Sequence, residues 1–153
     1  MAYMPPMFGD FLKRLTAPSP APLSDIDARL ALAGLLVRIA RSDGHYDTSE
    51  MSRIDRILGK RYGLSPFEAA ALRSQGEELE TEAPDTVRFT RAIKDAVPYE
   101  DRESVIEALW DVVLADGQRD YEEDALLRLA ANLLGVNDRD SNLARQRVEA
   151  RRA

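Results

Sequence analysis

The chain contains no cysteine, one histidine (His45) and one tryptophan (Trp110) among 153 residues. Without cysteine there is no disulfide, no thiol nucleophile and no thiolate zinc site. With a single histidine, neither a His-rich metal centre nor a di-iron site built from paired Glu-x-x-His motifs can form. No apolar run approaches the ~20 residues needed to cross a bilayer. There is no Gly-x-Ser-x-Gly elbow, no phosphate-binding glycine loop and no Ser/His/Asp constellation. An enzyme is therefore not expected. Basic charge is also in deficit: 21 Lys+Arg against 27 Asp+Glu give a net charge of −6 and a pI near 4.9. Such a surface repels phosphate backbones, so no nucleic-acid partner is expected.

What the chain has is helical periodicity. From Ser24 onward, apolar residues recur three and four apart, and no stretch alternates with the period of two of a half-buried strand. Ser24 opens a helix to about Ser42 with Ile26, Leu30, Ala33, Val37 and Ala40 inward. A second runs from Asp47 to about Tyr62 on Met51, Ile54, Ile57 and Leu58, and Gly63 stops it. Ser65-Pro66-Phe67-Glu68 is a capping box that opens a third helix to about Gln75. The run from Glu77 to Asp85 holds five acids and no base, and reads as a solvated connection. Phe89, Ile93 and Val97 mark a fourth helix before Pro98. A fifth covers about Glu100 to Ala115 with Ile106, Leu109, Trp110 and Val113, the tryptophan as core. A sixth runs from Asp120 to Leu134, and a last from about Asp138 to Glu149. The fold class is all-α, a bundle of about seven helices occupying residues 24–150 as one domain.

Residues 1–23 stand apart as an arm and linker. Phe8, Phe11, Leu12 and Leu15 share one face at helical spacing. Pro18, Pro20 and Pro22 then give an extended, semi-rigid linker. Three readings stand for residues 7–15: a short helix lying on its own domain, a frayed arm, or a docking or peripheral membrane-surface helix. At the other end, residues 139–153 hold five arginines against Asp140 and Glu149, net +3, leaving −9 on residues 1–138. That run reads as a frayed helix end complementing the acidic body, with a partner-binding tail as the alternative.

An offset of 73 residues places Leu36-x-x-Ile39-Ala40-x-x-Asp43-Gly44-x-x-Asp47-x-x-Glu50 on Leu109-x-x-Val112-Val113-x-x-Asp116-Gly117-x-x-Asp120-x-x-Glu123. One residue of slip then matches Gly63-Leu64 with Gly135-Val136. Two helical hairpins, each with an Asp-Gly turn, are predicted to pack face to face and bury their apolar stripes. Asp47-x-x-Glu50 and Asp120-x-x-Glu123 each fit a capping box. Asp43 and Asp116 do not, since they end the preceding helices where the helix dipole disfavours an anion. The second reading of all six is a hard-cation site, because oxygen-only ligands suit calcium or magnesium. It is no EF-hand: Asp43 to Glu50 spans eight residues, against that loop's twelve. His45 beside the first turn is a further ligand, a proton donor or simply solvated.

These two turns resemble those of the TerB-like domains of tellurite resistance. The matching text is Ser42-Asp43-Gly44-His45-Tyr46-Asp47-Thr48-Ser49-Glu50 and Ala115-Asp116-Gly117-Gln118-Arg119-Asp120-Tyr121-Glu122-Glu123, within a resemblance covering about Asp25 to Asn137. Ser42 replaces the small alanine of the first copy. Arg119 stands where the family usually has an apolar residue, which would open the second turn. The resemblance implies a compact, internally duplicated helical bundle in a cytoplasmic bacterial protein of tellurite or general stress resistance. It implies no catalysis, a divalent cation on the turn acids, and action through protein partners. The alternatives are a constitutive helical scaffold without ligand and, least supported, a metal-assisted hydrolase.

Overall fold

The computed structural model describes residues 25–42, 44–82, 86–114 and 121–152. Among them the chain is all-α. The helices are α1 (Asp25–Arg41), α2 (Thr48–Tyr62), α3 (Pro66–Glu82), α4 (Thr86–Ala96), α5 (Tyr99–Val113), α6 (Tyr121–Leu133) and α7 (Asp138–Arg152). The arm and linker proposed for residues 1–23 lie outside the described residues.

The bundle is organised around α1. Its residues 30 to 37 are buried without interruption, as are Ile39 and Ala40. Such a helix, apolar on every side, needs neighbours on every side. It packs against α2, α3, α4, α5 and α6, most extensively against α3. Phe89 and Ile93 of α4, Ile106 and Leu109 of α5, and Leu127 of α6 close the core around it, each essentially inaccessible to water. Burying one such side chain contributes about 1.5–3 kcal/mol.

Two glycines set how closely α1 is approached, Gly76 by α3 and Gly34 by Phe89 of α4. A Cβ on Gly76 would stand 2.8 Å from the Ala33 backbone carbon, and one on Gly34 would stand 2.6 Å from the Phe89 ring. At Gly76, where α3 meets the α1 backbone, only hydrogen fits. Gly76 sits in the middle of α3 rather than at its end, and this corrects the expectation that the helix stops near Gln75. Residues 77–82 of the acidic run continue the helix for nearly two further turns. Leu79 enters the core, and Glu77 and Glu80 meet arginines of α1 and α3.

The two glycine stops close alike, although the Gly63 amide donates to Gly59 and the Gly135 amide to Asn132, one residue nearer. Gly63 and Gly135 take left-handed φ values of 65° and 79°. The next amides, of Leu64 and Val136, each donate 2.9 Å to the carbonyl five residues back, on Gly59 and Ala131. This pair of bonds satisfies carbonyls that a helix end otherwise leaves open. Arg102 of α5 then gathers the ends of α4 and α6, donating to the carbonyls of Lys94, Val97 and Leu134.

α7 also departs from expectation. The basic C-terminal run is a packed helix rather than a frayed end. Ala144 and Val148 are fully buried, and Ser141 accepts a 3.1 Å hydrogen bond from the buried Trp110 Nε1. Its arginines do complement the acidic body: Arg151 pairs with Glu107 at 2.8 Å, and Arg147 with Glu103 and Glu107. No helix among the described residues is long and apolar enough to cross a membrane.

Candidate functional site: the first acidic turn and the polar face behind it

The first Asp-Gly turn joins α1 to α2. Gly44 takes φ +81°, which lets the chain reverse after α1. Asp47 then adopts an extended backbone and caps α2: its Oδ1 accepts from the Glu50 amide at 3.0 Å and from the Ser49 hydroxyl at 2.7 Å. These bonds, the Ser49 hydroxyl first, hold the Asp47 carboxyl below its ordinary range. The expected capping role of Asp47 is present.

Glu50 departs from a surface capping box. The reference is Ser65–Glu68 at the start of α3, where the exposed Glu68 carboxylate accepts from the Ser65 amide at 3.0 Å and Ser65 Oγ accepts in return at 3.2 Å. Glu50 instead is only 5% exposed, and Glu123, its counterpart 73 residues on, is 4% exposed. Both glutamates are sunk into the bundle at the first turn of their helices. Asp43, Asp116 and Asp120 lie outside the described residues, so three of the six candidate carboxylates are placed: Asp47 at the surface, Glu50 and Glu123 inside. Among the described residues, no group of three or more His, Asp or Glu side chains stands close enough to hold a metal ion. The donor set itself is oxygen only, the chemistry that calcium or magnesium requires. His45 is exposed.

Tyr46 ties this turn to the bundle. Its ring packs on the core and lies 4.9 Å from the Arg41 guanidinium. The hydroxyl is buried without a well-aligned hydrogen bond. Burial, and next to it the negative charge of Glu77, push its pKa up to about 12.

Behind Tyr46 runs a ladder of alternating charge that the sequence reading missed. Asp55 accepts from Arg73 Nε at 2.6 Å, and Arg73 Nη1 donates to Glu77 at 3.0 Å. Arg41 bridges Glu77 at 3.9 Å and Glu80 at 2.8 Å, and Arg38 reaches Glu80 at 3.5 Å. Arg38 also donates to the Glu80 carbonyl at 3.2 Å and lies over the Phe89 ring at 4.8 Å. Three arginines thus meet three carboxylates, and the ladder's own charges balance. The available signal was the matched spacing of Arg38/Arg41 and Glu77/Glu80, each pair three residues apart on one helical face.

The fold and the turn together define a class: an all-helical bundle whose hairpin carries a capped Asp-Gly turn with a buried glutamate behind it. The family model of the tellurite resistance protein TerB matches residues 29–146, and the chain belongs to that family. The match includes the first half of α7, beyond the Asn137 at which the sequence resemblance ended. Neither a curated protein nor a solved structure matched the chain.

Proposed function

We propose that this chain is a TerB-type interaction module without chemistry of its own, working through protein partners and responding to a hard divalent cation. The cation would be taken by Asp43, Asp47 and Glu50 at the first turn and by Asp116, Asp120 and Glu123 at the second. The reading also takes the two hairpins as duplicates related by the 73-residue offset, which the matched glycine stops support.

One observation carries the cation reading: a carboxylate buried at the same step of both hairpins. A cap needs only an exposed glutamate, as Glu68 illustrates, and sinking a carboxylate into a bundle is costly unless positive charge or donors offset it. A glutamate held inside the bundle at the same step of both hairpins, where a surface cap would suffice, favours a role beyond capping. Asp47 supports the competing reading of a ligand-free scaffold, because one of its oxygens already serves the helix.

The test is the change in melting temperature between excess chelator and millimolar calcium or magnesium. For the parent protein, a bound ion at a hundred times its dissociation constant stabilises by ~2.7 kcal/mol. Asp43→Asn with Asp116→Asn should abolish that shift, and Glu50→Gln should reduce it. A parent protein that melts identically in chelator and in cation refutes the cation role and leaves the scaffold reading. Co-purification of partners from a native host tests the interaction role in both cases.

A further inference from the structure

In a chain with 27 acids against 21 bases, an arginine set against the core should find a carboxylate. The arginines of the ladder do, and so do Arg145, Arg147 and Arg151 of α7. Arg29 of α1 and Arg61 of α2 are partly buried, yet neither pairs with a carboxylate among the described residues. Both guanidiniums lie instead on the ring of Tyr62, 4.7 Å and 5.8 Å from its centroid. Arg61 is fixed further. Its Nη1 donates to Ser104 Oγ of α5 at 2.6 Å, and its Nε is buried without an acceptor. These side chains line an opening of about 310 Å³ between α1, the end of α2 and the start of α5, framed by Ala28, Val97 and Pro98. Among the described residues, Asp101 is the one acid in its lining. Arg61 and Tyr62 also face the adjoining opening toward α7, where Lys60 adds a cation. The acids there are already engaged, Glu107 by Arg147 and Arg151, and Asp111 by Arg53.

We propose that this opening binds a small soluble phosphate, inorganic phosphate or a phosphate monoester, through Arg29 and Arg61. A guanidinium presents its donors in a planar fork that matches phosphate oxygens, and such charge-assisted bonds are among the strong ones. Two like charges held on one ring, partly out of water, repel each other, and an anion shared by both offsets that cost. Ser104 and Tyr62 already hold the Arg61 side chain in place, so less freedom is lost when the anion arrives. The surroundings select a small soluble anion over an anionic bilayer. Glu100 and Asp101 are exposed at the same end of α5 and repel a negatively charged surface. Asp101 also weakens the pull on a free phosphate, which sets the affinity in the millimolar range.

The test titrates inorganic phosphate into the isotope-labelled full-length protein, with chloride holding the ionic strength constant. The amide resonances of Arg29, Arg61, Tyr62 and Ser104 should shift together and saturate with a dissociation constant on the order of 1 mM. Arg29→Gln and Arg61→Gln should each weaken binding about tenfold, whereas Arg91→Gln, on the exposed side of α4, should leave it unchanged. Asp101→Asn should tighten binding several-fold, a gain that a purely structural arginine pair does not produce and that needs no arginine variant to fold. Shifts that grow without saturating, that saturate around other residues, or that survive both arginine replacements overturn the proposal. Binding that Asp101→Asn leaves as it was overturns it too. Phosphatidic acid vesicles should not retain the protein; retention that phosphate competes away would assign the site to a lipid headgroup and overturn the soluble ligand.

Discussion

Asp47 and Tyr46 sit side by side in one turn and respond to opposite ends of the pH scale. Asp47 is charged and hydrogen-bonded in the folded chain, so its carboxyl is held low. Its contribution is present above the unfolded value of about 4 and fades as pH falls through the folded one. Asp47→Ala should lower the melting temperature by a few degrees at pH 7 through loss of the cap, and the gap to the parent should close in acid. A calorimetric pH series on both proteins checks this. Tyr46 is buried neutral with its pKa raised to about 12, so its share of stability is complete below the unfolded value near 10 and is lost as pH rises toward 12. Tyr46→Phe removes a hydroxyl that lacks an aligned partner. The variant should match the parent within about 0.5 kcal/mol at pH 8 and exceed it above pH 10, as denaturant melts at the two pH values will report.

Among the helices, the α1–α3 crossing is where packing most strictly limits the sequence. Alanine in mid-helix normally gains ~0.5–1 kcal/mol over glycine. At Gly76 the new methyl would press on the Ala33 backbone, which no side-chain rotation relieves. Gly76→Ala should therefore destabilise, by ~1–3 kcal/mol, measured by chemical denaturation. The same residue explains what the sequence left unread. A glycine followed by five acids looks like a helix end and a solvated connection, because neither feature contains the helix it is pressed against or the arginines it faces. Leu79 was the one apolar marker of continuation. Helices with their own punctuation were legible: Asp47 and the Ser65–Glu68 box start α2 and α3, and Gly63 and Gly135 stop α2 and α6. Of the acidic site, the capping role of Asp47 could be read from spacing. The burial of Glu50 and Glu123 could not, since a pattern of three residues places a side chain on a helix face without saying what covers that face. The arginines of α7 were read by charge alone. Ala144 and Val148, spaced four apart, carried the packing signal.

For the whole molecule, the two ends of the chain should behave differently. Deleting residues 1–17, which precede Pro18, Pro20 and Pro22, leaves the sequence of α1 to α7 whole, so a cooperative thermal transition is expected to remain. Truncation after Asn137 strips α7 from α5, uncovers Trp110 and leaves the bundle's acidic face without Arg147 and Arg151. That shorter chain should lose its sharp transition and its buried tryptophan emission, both readable in one fluorescence melt.

The central position of α1 has a consequence for synthesis. Of the described helices, it leaves the ribosome first, yet its neighbours extend as far as α6. At about 5–20 residues per second, completing the chain through Leu133 takes roughly 5–20 s, during which a segment apolar on all sides has no finished cage. Hydrophobic collapse takes microseconds, so this helix meets whatever apolar surface is nearby long before its own is made. The helix most completely enclosed in the finished bundle is thus the most vulnerable part of the nascent one.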